Sequence, residues 1–424
     1  MFEAVELGRK VPKKEFDAAE PELRTGLLEV QRDIQQAGIP VIILVSGVEG
    51  AGKGDVVNRL NKWFDTRGVR LHADWDPTDE EIERPRYWRY WRQLPAAGTI
   101  GVVFGSWYKK PIVDRVFDRI GKRDFEHELR RIEEFERLLT RGGALIVKFW
   151  FHLGAKQQRK RLQEDLDSGR LTSPLLEKHA KRYVEFVRVS ERAIRMTDVG
   201  RCPWHLVEAT DKRFRDLTVG QTLLRVMRER LATTEAGAND GEPAAVPAQP
   251  ALGDGRTILD TVDLTAALAD DEYQRRLKPL QHRLKQLAWE AREKKRSTIV
   301  LFEGWDAGGK GGAIRRITQA VDARLYKTIS VAAPTDEERA HHYLWRFWRH
   351  LPRAGYMTLY DRSWYGRVLV ERIEGFASAP EWQRAYQEIN DFEEQLVDGG
   401  IVVLKFWIHI SNEEQLRRFK EREK

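Results

Sequence analysis

The sequence predicts an α/β protein in which one domain, built on a parallel sheet, occurs twice. The first observation is a repeat: Lys53 in GVEGAGKG and Lys310 in GWDAGGKG lie 257 positions apart. The same offset pairs PTDEE at 77 with 334, WR at 88 with 345, SWY at 106 with 363, and KFW at 148 with 405. Self-similarity over so long a period indicates duplicated whole domains. The second observation is that apolar, β-branched runs alternate with helical stretches, which is typical of parallel sheets covered by helices.

Each copy is expected to open with a helix that leads into a buried strand. These helices are predicted over residues 15–38 and 263–296, and leucines recur at helical spacing in the second. The expected strands are Val41–Val45, Thr99–Phe104, Ala144–Phe151 and Trp204–Glu208 in the first copy, and Thr298–Phe302, Met357–Tyr360 and Ile401–Ile408 in the second. A basic helix is expected over Gln157–Leu166, after the third of the first-copy strands.

The repeat also predicts the domain organisation. We expect a first domain over residues 1–231, a flexible linker rich in Ala, Gly, Pro and Thr over 232–256, and a second domain over 257–424. The first copy continues for nearly 80 residues after His152, whereas 15 residues follow His409. By this internal standard the second copy is truncated within a helix, and we expect the natural protein to extend roughly 70–80 residues further.

Composition narrows the classes of protein. The chain has 424 residues, of which 41% are hydrophobic, so each half can bury a core. No apolar run approaches the roughly 20 residues that span a bilayer. Cys202 is the only cysteine, which excludes a disulfide framework and fits a reducing cytoplasm. The net charge of +7 favours an anionic partner, and nucleic acid, nucleotides and inorganic polyanions all satisfy it.

A glycine-rich loop in the second copy predicts phosphate binding. The string GWDAGGKG matches the GxxxxGK pattern, directly after a strand and before a helix. Backbone N–H groups of such a loop form a concave nest, and its lysine reaches the transferred phosphate. The residues expected to form this loop are Gly304, Ala307, Gly308, Gly309, Lys310 and Gly311.

The loop departs from the usual pattern in a way that concerns metal binding. Gly311 stands where Ser or Thr usually holds Mg²⁺, so carboxylates have to supply the ligands. Asp306 in the loop and Asp361 at a strand end are the natural pair, because ligands collect at the carboxyl ends of parallel strands. The first copy carries Glu49 and Phe104 at these two positions.

The comparison of the copies also singles out Arg362, which is replaced by Gly105. A fold that tolerates Phe104 and Gly105 does not need the Asp361–Arg362 pair for stability. We therefore expect chemistry in the second copy only, with the first copy degenerate. The predicted catalytic residues are Asp306, Lys310, Asp361 and Arg362.

Two further segments have more than one interpretation. The strings WRYWR at 88 and WRFWR at 345 could stack nucleotide bases, but their presence in both copies favours packing with arginines at the rim. The basic helix that contains EEQLRRFKEREK could be a solvated face, or a lid whose positive charge suits a phosphate chain.

Together these motifs resemble the polyphosphate kinase 2 family. The resemblance rests on GWDAGGKGG, PTDEE, LWRFWRHLP, YDRSWYGR, KFWIH and EEQLRRF, and it covers both repeats. The tandem arrangement is similar to the two-domain class, whose members are polyphosphate:AMP phosphotransferases. The resemblance implies thymidylate-kinase-like P-loop domains, three-layer α/β/α with helical lids, and activity in the second domain.

The resemblance also implies roles for residues. Asp306 and Asp361 would hold Mg²⁺, for which Mn²⁺ can substitute, and Lys310 would hold the transferred phosphoryl group. The implied nucleotide-site residues are Asp361, Arg362, Arg367 and Glu371, and those of the polyphosphate path are Arg417, Arg418 and Arg422. The implied partners are inorganic polyphosphate, AMP or ADP, and further copies of the chain in a homo-oligomer, with no nucleic acid and no membrane, in the cytoplasm.

Three alternatives stay open from the residues. One is a polyphosphate-dependent kinase of nucleoside diphosphates, since no residue decides between AMP and ADP. Another is an ATP-dependent P-loop nucleotide kinase, although such a kinase usually carries Ser or Thr where Gly311 stands. The third is a polyanion-binding protein without activity, against which the intact set in the second copy argues.

Overall fold

The chain folds into two compact units. The computed structural model describes residues 1–73, 76–168, 181–236 and 257–423. The first unit comprises Met1–Asp76 and Gln93–Asp240, and the second comprises Pro77–Arg92 and Gly241–Lys424. The segment Pro77–Arg92 thus belongs to the first repeat by sequence and to the second unit by packing. The domain bounds 1–231, 232–256 and 257–424 stay a prediction, and most of the expected linker lies outside the described residues.

The first unit contains a five-stranded parallel sheet with the strand order β2-β3-β1-β4-β5. The strands are β1 (Val41–Gly47), β2 (Val69–Ala73), β3 (Ile100–Phe104), β4 (Leu145–His152) and β5 (Trp204–Glu208). Every residue of β4 is buried, and the strand pairs with β1 on one side and β5 on the other.

The second unit contains a four-stranded parallel sheet with the equivalent order β7-β8-β6-β9. The strands are β6 (Thr298–Gly304), β7 (Tyr326–Ser330), β8 (Met357–Asp361) and β9 (Val402–Ile408). A core cluster of Val300, Phe302, Ile314 and Leu359 lies on one face. Within the described residues β9 pairs with β6.

Sixteen α-helices accompany the strands in the described residues. In chain order they are α1 (Lys13–Gln36), α2 (Lys53–Trp63), α3 (Asp79–Ile82), α4 (Trp88–Gln93), α5 (Lys109–Val116), α6 (Lys122–Arg141), α7 (Ala155–Asp167), α8 (Tyr183–Thr197), α9 (Lys212–Ala236), α10 (Asp270–Glu293), α11 (Lys310–Thr318), α12 (Asp336–Arg339), α13 (Trp345–Trp348), α14 (Val370–Ile373), α15 (Ala379–Asp398) and α16 (Asn412–Arg422). None of the helices in these residues is long and apolar enough to cross a membrane.

The predicted α/β class with parallel sheets and a duplicated core is confirmed, and each expected strand is present within a few residues of its predicted bounds. Two strands were not predicted, β2 and β7. Both are five-residue edge strands that are mostly exposed on both faces, so polar side chains interrupt the apolar pattern that marks a buried strand. The helix α9 runs on to Ala236, which places residues 232–236 of the expected linker in a helix.

The Trp-rich segments pack inside the second unit. Trp88, Trp91, Trp345 and Trp348 are at most 5% exposed, and the rings of Trp91 and Trp348 stack with centroids 5.5 Å apart. Arginine side chains cover the rims: the Arg349 guanidinium lies 4.6 Å from the centroid of the Trp345 ring. The packing interpretation of these segments is therefore confirmed.

A lysine–glutamate ion pair recurs at equivalent positions of the two repeats. In the first unit the Lys148 ammonium donates to Glu136 at 2.7 Å and to the Thr197 carbonyl at 2.7 Å, and neither charged side chain is exposed. In the second unit Lys405 donates to Glu393 at 2.7 Å. Burial makes the Lys148–Glu136 pair sensitive to the loss of one partner.

We expect Lys148→Met to lower the free energy of unfolding of the first unit by about 3 kcal/mol or more, because it leaves the Glu136 carboxylate buried without its counter-charge. Arg225→Met, which breaks the exposed Arg225–Glu229 pair of the same unit, should lower it by less than about 1 kcal/mol. Urea unfolding followed by hydrogen exchange on peptides from the first unit distinguishes the two effects. Equal losses in both variants would show that burial does not govern the strength of an ion pair in this unit.

Candidate active site

The sheet of the second unit brings two predicted site segments to one edge. The strand β6 ends at Gly304, where the glycine-rich loop begins, and its neighbour β8 ends at Asp361. Phe302 and Asp361 are partners in the parallel register. The carboxyl ends of these strands therefore place the loop beside Asp361 and Arg362, in the position where ligands bind in parallel α/β sheets.

The loop conformation requires glycine at two positions. Gly304 has a φ of +126°, and a Cβ there would lie 2.0 Å from the carbonyl oxygen of Ile408. Gly309 has a φ of +113° and forms the N-cap of α11. The Gly308 N–H donates to the Trp305 carbonyl at 3.0 Å, which closes the turn. The loop thus leads directly into the first turn of α11, and the N-terminus of a helix carries a partial positive charge.

Of the four non-glycine residues with positive φ in the described part of the chain, two belong to this site. Ala307 and Arg362 each have a φ of +62°. The equivalent residues of the first repeat, Gly50 and Gly105, have φ values of +78° and +86°. A left-handed conformation costs a non-glycine residue about 1 to 3 kcal/mol and is common where function requires a particular side chain. The second repeat accepts this strain at Arg362 to place a guanidinium in the site.

The predicted catalytic side chains lie close together around the loop. The Lys310 ammonium donates to the carbonyls of Gly304 at 2.7 Å and Trp305 at 3.0 Å, and lies 3.7 Å from the Asp306 carboxylate. The Arg362 guanidinium donates to Asp306 at 2.9 Å. Lys310 is buried, whereas the side chains of Asp306 and Arg362 are 61% and 44% exposed. Two cations and a carboxylate thus face one region of the loop.

This region is a cavity of about 540 Å³. Its lining comprises Asp306, Ala307, Gly308, Gly309, Lys310, Gly311, Gly312, Arg315, Ser330, Val331, Ala332, Asp361, Arg362 and Arg422. All four predicted catalytic residues and Arg422 of the predicted polyphosphate path are therefore brought together. Arg315 was not predicted, although its position in the first helix turns after the loop lysine could have indicated it.

A second cavity of about 690 Å³ adjoins the first and shares Arg362 with it. Arg367 and Glu371, both predicted for the nucleotide site, line this cavity and form an ion pair at 2.9 Å. The Arg367 guanidinium lies 4.4 Å from the centroid of the Tyr343 ring. Its Nε is buried and has no hydrogen-bond partner within the described residues. Phe347 and Phe376 add apolar lining.

The carboxylates of the first cavity fit a magnesium site. Asp306 and Asp361 both line it. The described part of the chain contains no cluster of three or more His, Cys, Asp or Glu residues that could hold a metal by protein ligands alone. Mg²⁺ is usually held by one or two carboxylates together with substrate phosphates and waters. Two aspartates beside a phosphate-binding loop are such a donor set.

The helix α16 carries the three arginines predicted for the polyphosphate path, and they have different surroundings. Arg422 lines the first cavity. Arg417 is exposed and pairs with Glu414 at 2.7 Å and with Glu421. Arg418 donates to the loop carbonyls of Ala307 and Gly308, each at 3.0 Å.

Glu303 is a site residue that the sequence reasoning missed. It is the last residue of β6 before Gly304, is 8% exposed, and accepts a hydrogen bond from the Ser363 hydroxyl at 2.7 Å. Burial raises the pKa of its carboxyl group. The first repeat has Ser46 at this position, bonded to Ser106 at 2.9 Å. The comparison of repeats that identified Asp361 would have identified Glu303 as well.

The first repeat keeps the loop lysine without the rest of this set. The Lys53 ammonium donates to the carbonyls of Gly47 and Val48 at 2.9 and 3.0 Å, as Lys310 does in its own loop. The neighbouring strand ends in Phe104 and Gly105, which offer neither carboxylate nor cation. Only the second repeat joins a phosphate loop to charged side chains from the adjacent strand.

A phosphate loop and an adjoining ion-paired cavity at the carboxyl edge of a parallel sheet define a phosphate-binding α/β domain. The sequence signature of the family described as Polyphosphate kinase 2 matches residues 10–235 and 267–424. Since this match covers most of both repeats, the chain belongs to the polyphosphate kinase 2 family, a family of phosphotransferases.

Two relatives and one solved structure are similar to this chain along its whole length. A polyphosphate:AMP phosphotransferase of Pseudomonas aeruginosa is 48% identical over 428 residues, which cover 100% of this chain and 86% of the relative. One of Pseudomonas syringae pv. tomato is 46% identical, covering 100% of this chain and 85% of the relative. A crystal structure of a polyphosphate kinase 2 from Pseudomonas aeruginosa is similar with a TM-score of 0.88 and 45% identity, covering 100% and 84% of the two chains.

We expect Lys310→Met to lower turnover at least 100-fold, since one charged donor to the transferred phosphate is removed from the site. Lys53→Met removes the same group from the first repeat and should leave turnover within twofold of the parent. Steady-state rates of both variants, with thermal melting as a check of folding, test the assignment of activity to the second repeat. Similar losses in both variants would contradict it.

We expect Arg362→Gly to separate activity from stability. Turnover should fall about 100-fold or more, because a cation shared by both cavities is lost. Stability should stay equal or rise by about 1 kcal/mol, because glycine accepts the left-handed backbone without strain. Arg362→Ala loses the same cation but keeps the strain, so it serves as the control in urea unfolding. A clear loss of stability in the glycine variant would mean that Arg362 supports the fold.

Proposed function

We propose that the chain transfers a phosphoryl group from inorganic polyphosphate to AMP, with the reaction occurring in the second repeat. The observation that carries the proposal is the pair of adjoining cavities with Arg362 between them. One is built from the phosphate loop and cations, and the other from aromatic rings and the Arg367–Glu371 pair. The names of the relatives that match the whole chain, polyphosphate:AMP phosphotransferase, support the same reaction.

The charges suit a phosphate chain in the first cavity. The loop amides and the N-terminus of α11 favour anions, and Lys310, Arg315, Arg362 and Arg422 add four cations to the lining. A terminal phosphate seated on the loop would lie beside Lys310, which would exchange its bonds to the loop carbonyls for the phosphate oxygens. Arg422 from α16 would hold phosphates further along the chain.

The nucleotide would occupy the second cavity, with its phosphate toward Arg362. The ring of Phe376, which is 71% exposed, offers apolar surface for a base, and the unpartnered Nε of Arg367 offers a donor for an oxygen. A phosphate oxygen of AMP would then attack the terminal phosphorus of the polyphosphate, as the bridging P–O bond of that phosphorus breaks. The products are ADP and a polyphosphate one unit shorter.

This reaction needs charge neutralisation and alignment more than proton transfer. A phosphate monoester has its second pKa near 6, so the attacking oxygen already carries charge at neutral pH. Lys310 and Arg362 would offset the charge that develops on the transferred group. Mg²⁺ held by Asp306 and Asp361, with Mn²⁺ as a substitute, would supply further neutralisation when bound.

AMP is favoured over ADP by the relatives' names alone, so a polyphosphate-dependent nucleoside diphosphate kinase is the second candidate. A cytoplasmic location is supported by the single cysteine, which excludes an intrachain disulfide. Assembly into a homo-oligomer, and the absence of nucleic-acid and membrane partners, stay predictions.

The test supplies AMP, Mg²⁺ and either polyphosphate or ATP to the protein and measures ADP. We expect ADP from polyphosphate, loss of the reaction on chelation of the metal, and at least a 100-fold decrease in turnover in both Asp306→Asn and Asp361→Asn. ATP formed from ADP and polyphosphate, but no ADP from AMP, would favour the second candidate. ADP formed only when ATP is the donor would contradict the proposed phosphate source.

A further inference from the structure

One set of hydrogen bonds to the phosphate loop recurs in both repeats, although Asp306, Asp361 and Arg362 have no identical counterparts in the first. In the second repeat Gln415 donates to the carbonyl of Asp306 at 2.9 Å, and Arg418 donates to that of Ala307 at 3.0 Å. In the first repeat Gln158 donates to the carbonyl of Glu49 at 3.1 Å, and Arg161 donates to that of Gly50 at 2.7 Å. These residues and their acceptors occupy equivalent repeat positions.

These bonds fix the direction of the loop amides. A trans peptide is planar, so the carbonyl of one residue and the N–H of the next point in opposite directions. Carbonyls of Asp306 and Gly308 held toward α16 therefore turn the N–H groups of Ala307 and Gly309 away from that helix. Both residues line the first cavity. The side chains of Gln415 and Arg418 thus contact the side of the loop that faces α16.

The loop residue with the strained backbone is among those that accept a hydrogen bond from Arg418. Ala307 has a positive φ without being glycine, and its carbonyl accepts from the Arg418 guanidinium, which also donates to Gly308. The Glu414 carboxylate orients that guanidinium through a bond from its Nε at 2.6 Å. Hydrogen bonds from Arg417 and Arg418 lower the pKa of Glu414 to about 2, so the carboxylate stays ionised at neutral pH.

We propose that Gln415 and Arg418 are positioning residues that hold the phosphate loop in its binding conformation. The proposal rests on the proposed function for its activity readout. It assigns Arg418 to the loop backbone, whereas the family resemblance implies a place in the polyphosphate path. The two roles differ in their consequences, because a polyphosphate ligand acts through its charge and a positioning residue acts through the loop.

The test measures kcat, KM for polyphosphate and hydrogen exchange of the loop in Gln415→Leu and Arg418→Met. We expect kcat to fall on the order of 10- to 100-fold, as for a small displacement of reacting groups, with KM for polyphosphate within about threefold of the parent. Exchange of the amides in residues 305–310 should speed up in both variants. Gln415 is uncharged, so its variant leaves the electrostatic attraction of polyphosphate unchanged.

Ala307→Gly supplies the decisive combination, since it gives the second repeat the residue that the first repeat has. Glycine needs less support at a positive φ, so we expect Ala307→Gly to restore part of the kcat that Arg418→Met loses. The loss of a polyphosphate contact would not be restored in this way. A KM for polyphosphate raised more than tenfold in Arg418→Met with unchanged loop exchange would overturn the proposal.

The first repeat provides the matched control. Gln158→Leu and Arg161→Met should speed up exchange in residues 47–53 while kcat stays within twofold of the parent. Because exchange is measured without substrate, it tests the positioning role even if polyphosphate or AMP is not the substrate. Wild-type exchange in Gln415→Leu and in Arg418→Met would contradict the positioning role whatever the reaction is.

Discussion

The close approach of two backbones at the end of the central strand is the constraint on which the site depends. As the chain leaves β6, Gly304 passes so near the Ile408 carbonyl that no side chain fits, and the Trp305 N–H donates to that carbonyl at 3.3 Å. The first repeat has the same approach between Gly47 and Phe151. This contact turns the chain into the loop, starts α11 at Lys310 and sets the loop beside the end of β8. The backbone positions of Asp306, Lys310 and Arg362 are then close enough for their side chains to contact one another.

The two repeats show which parts of the site belong to the fold and which to the chemistry. Glycines at the positions of Gly304 and Gly309, the loop lysine, and the bonds to the loop from the helix that carries Gln415 or Gln158 are present in both. Glu303, Asp306, Asp361 and Arg362 are present in the second alone, and the equivalent residues are Ser46, Glu49, Phe104 and Gly105. The strain at Arg362 follows the same division, because the first repeat has glycine there. A loop of the same form thus occurs in both repeats, whereas these four side chains occur in the second alone.

Much of this could be predicted from sequence because the repeat supplied an internal comparison. The strands with continuous apolar runs and the loop with its flanking elements were recognisable, and the predicted catalytic residues meet in one cavity. The edge strands β2 and β7 were missed because exposure on both faces removes the apolar pattern. Arg418 shows a further limit: a positive charge on a basic helix predicts an anion, but only coordinates reveal that its donors meet backbone carbonyls. Charge can be read from composition, whereas the acceptor of a hydrogen bond cannot.

The Lys148–Glu136 pair places a lysine–glutamate interaction in an environment without water, since neither side chain is exposed. Dissolved ions screen charges over about 8 Å at physiological ionic strength, and they reach exposed charges far more readily than buried ones. Ionic strength therefore acts on exposed pairs of the first unit such as Arg225–Glu229, and hardly on Lys148–Glu136. The interior of this unit is thus expected to keep its electrostatic contact at salt concentrations that weaken the contacts on its surface.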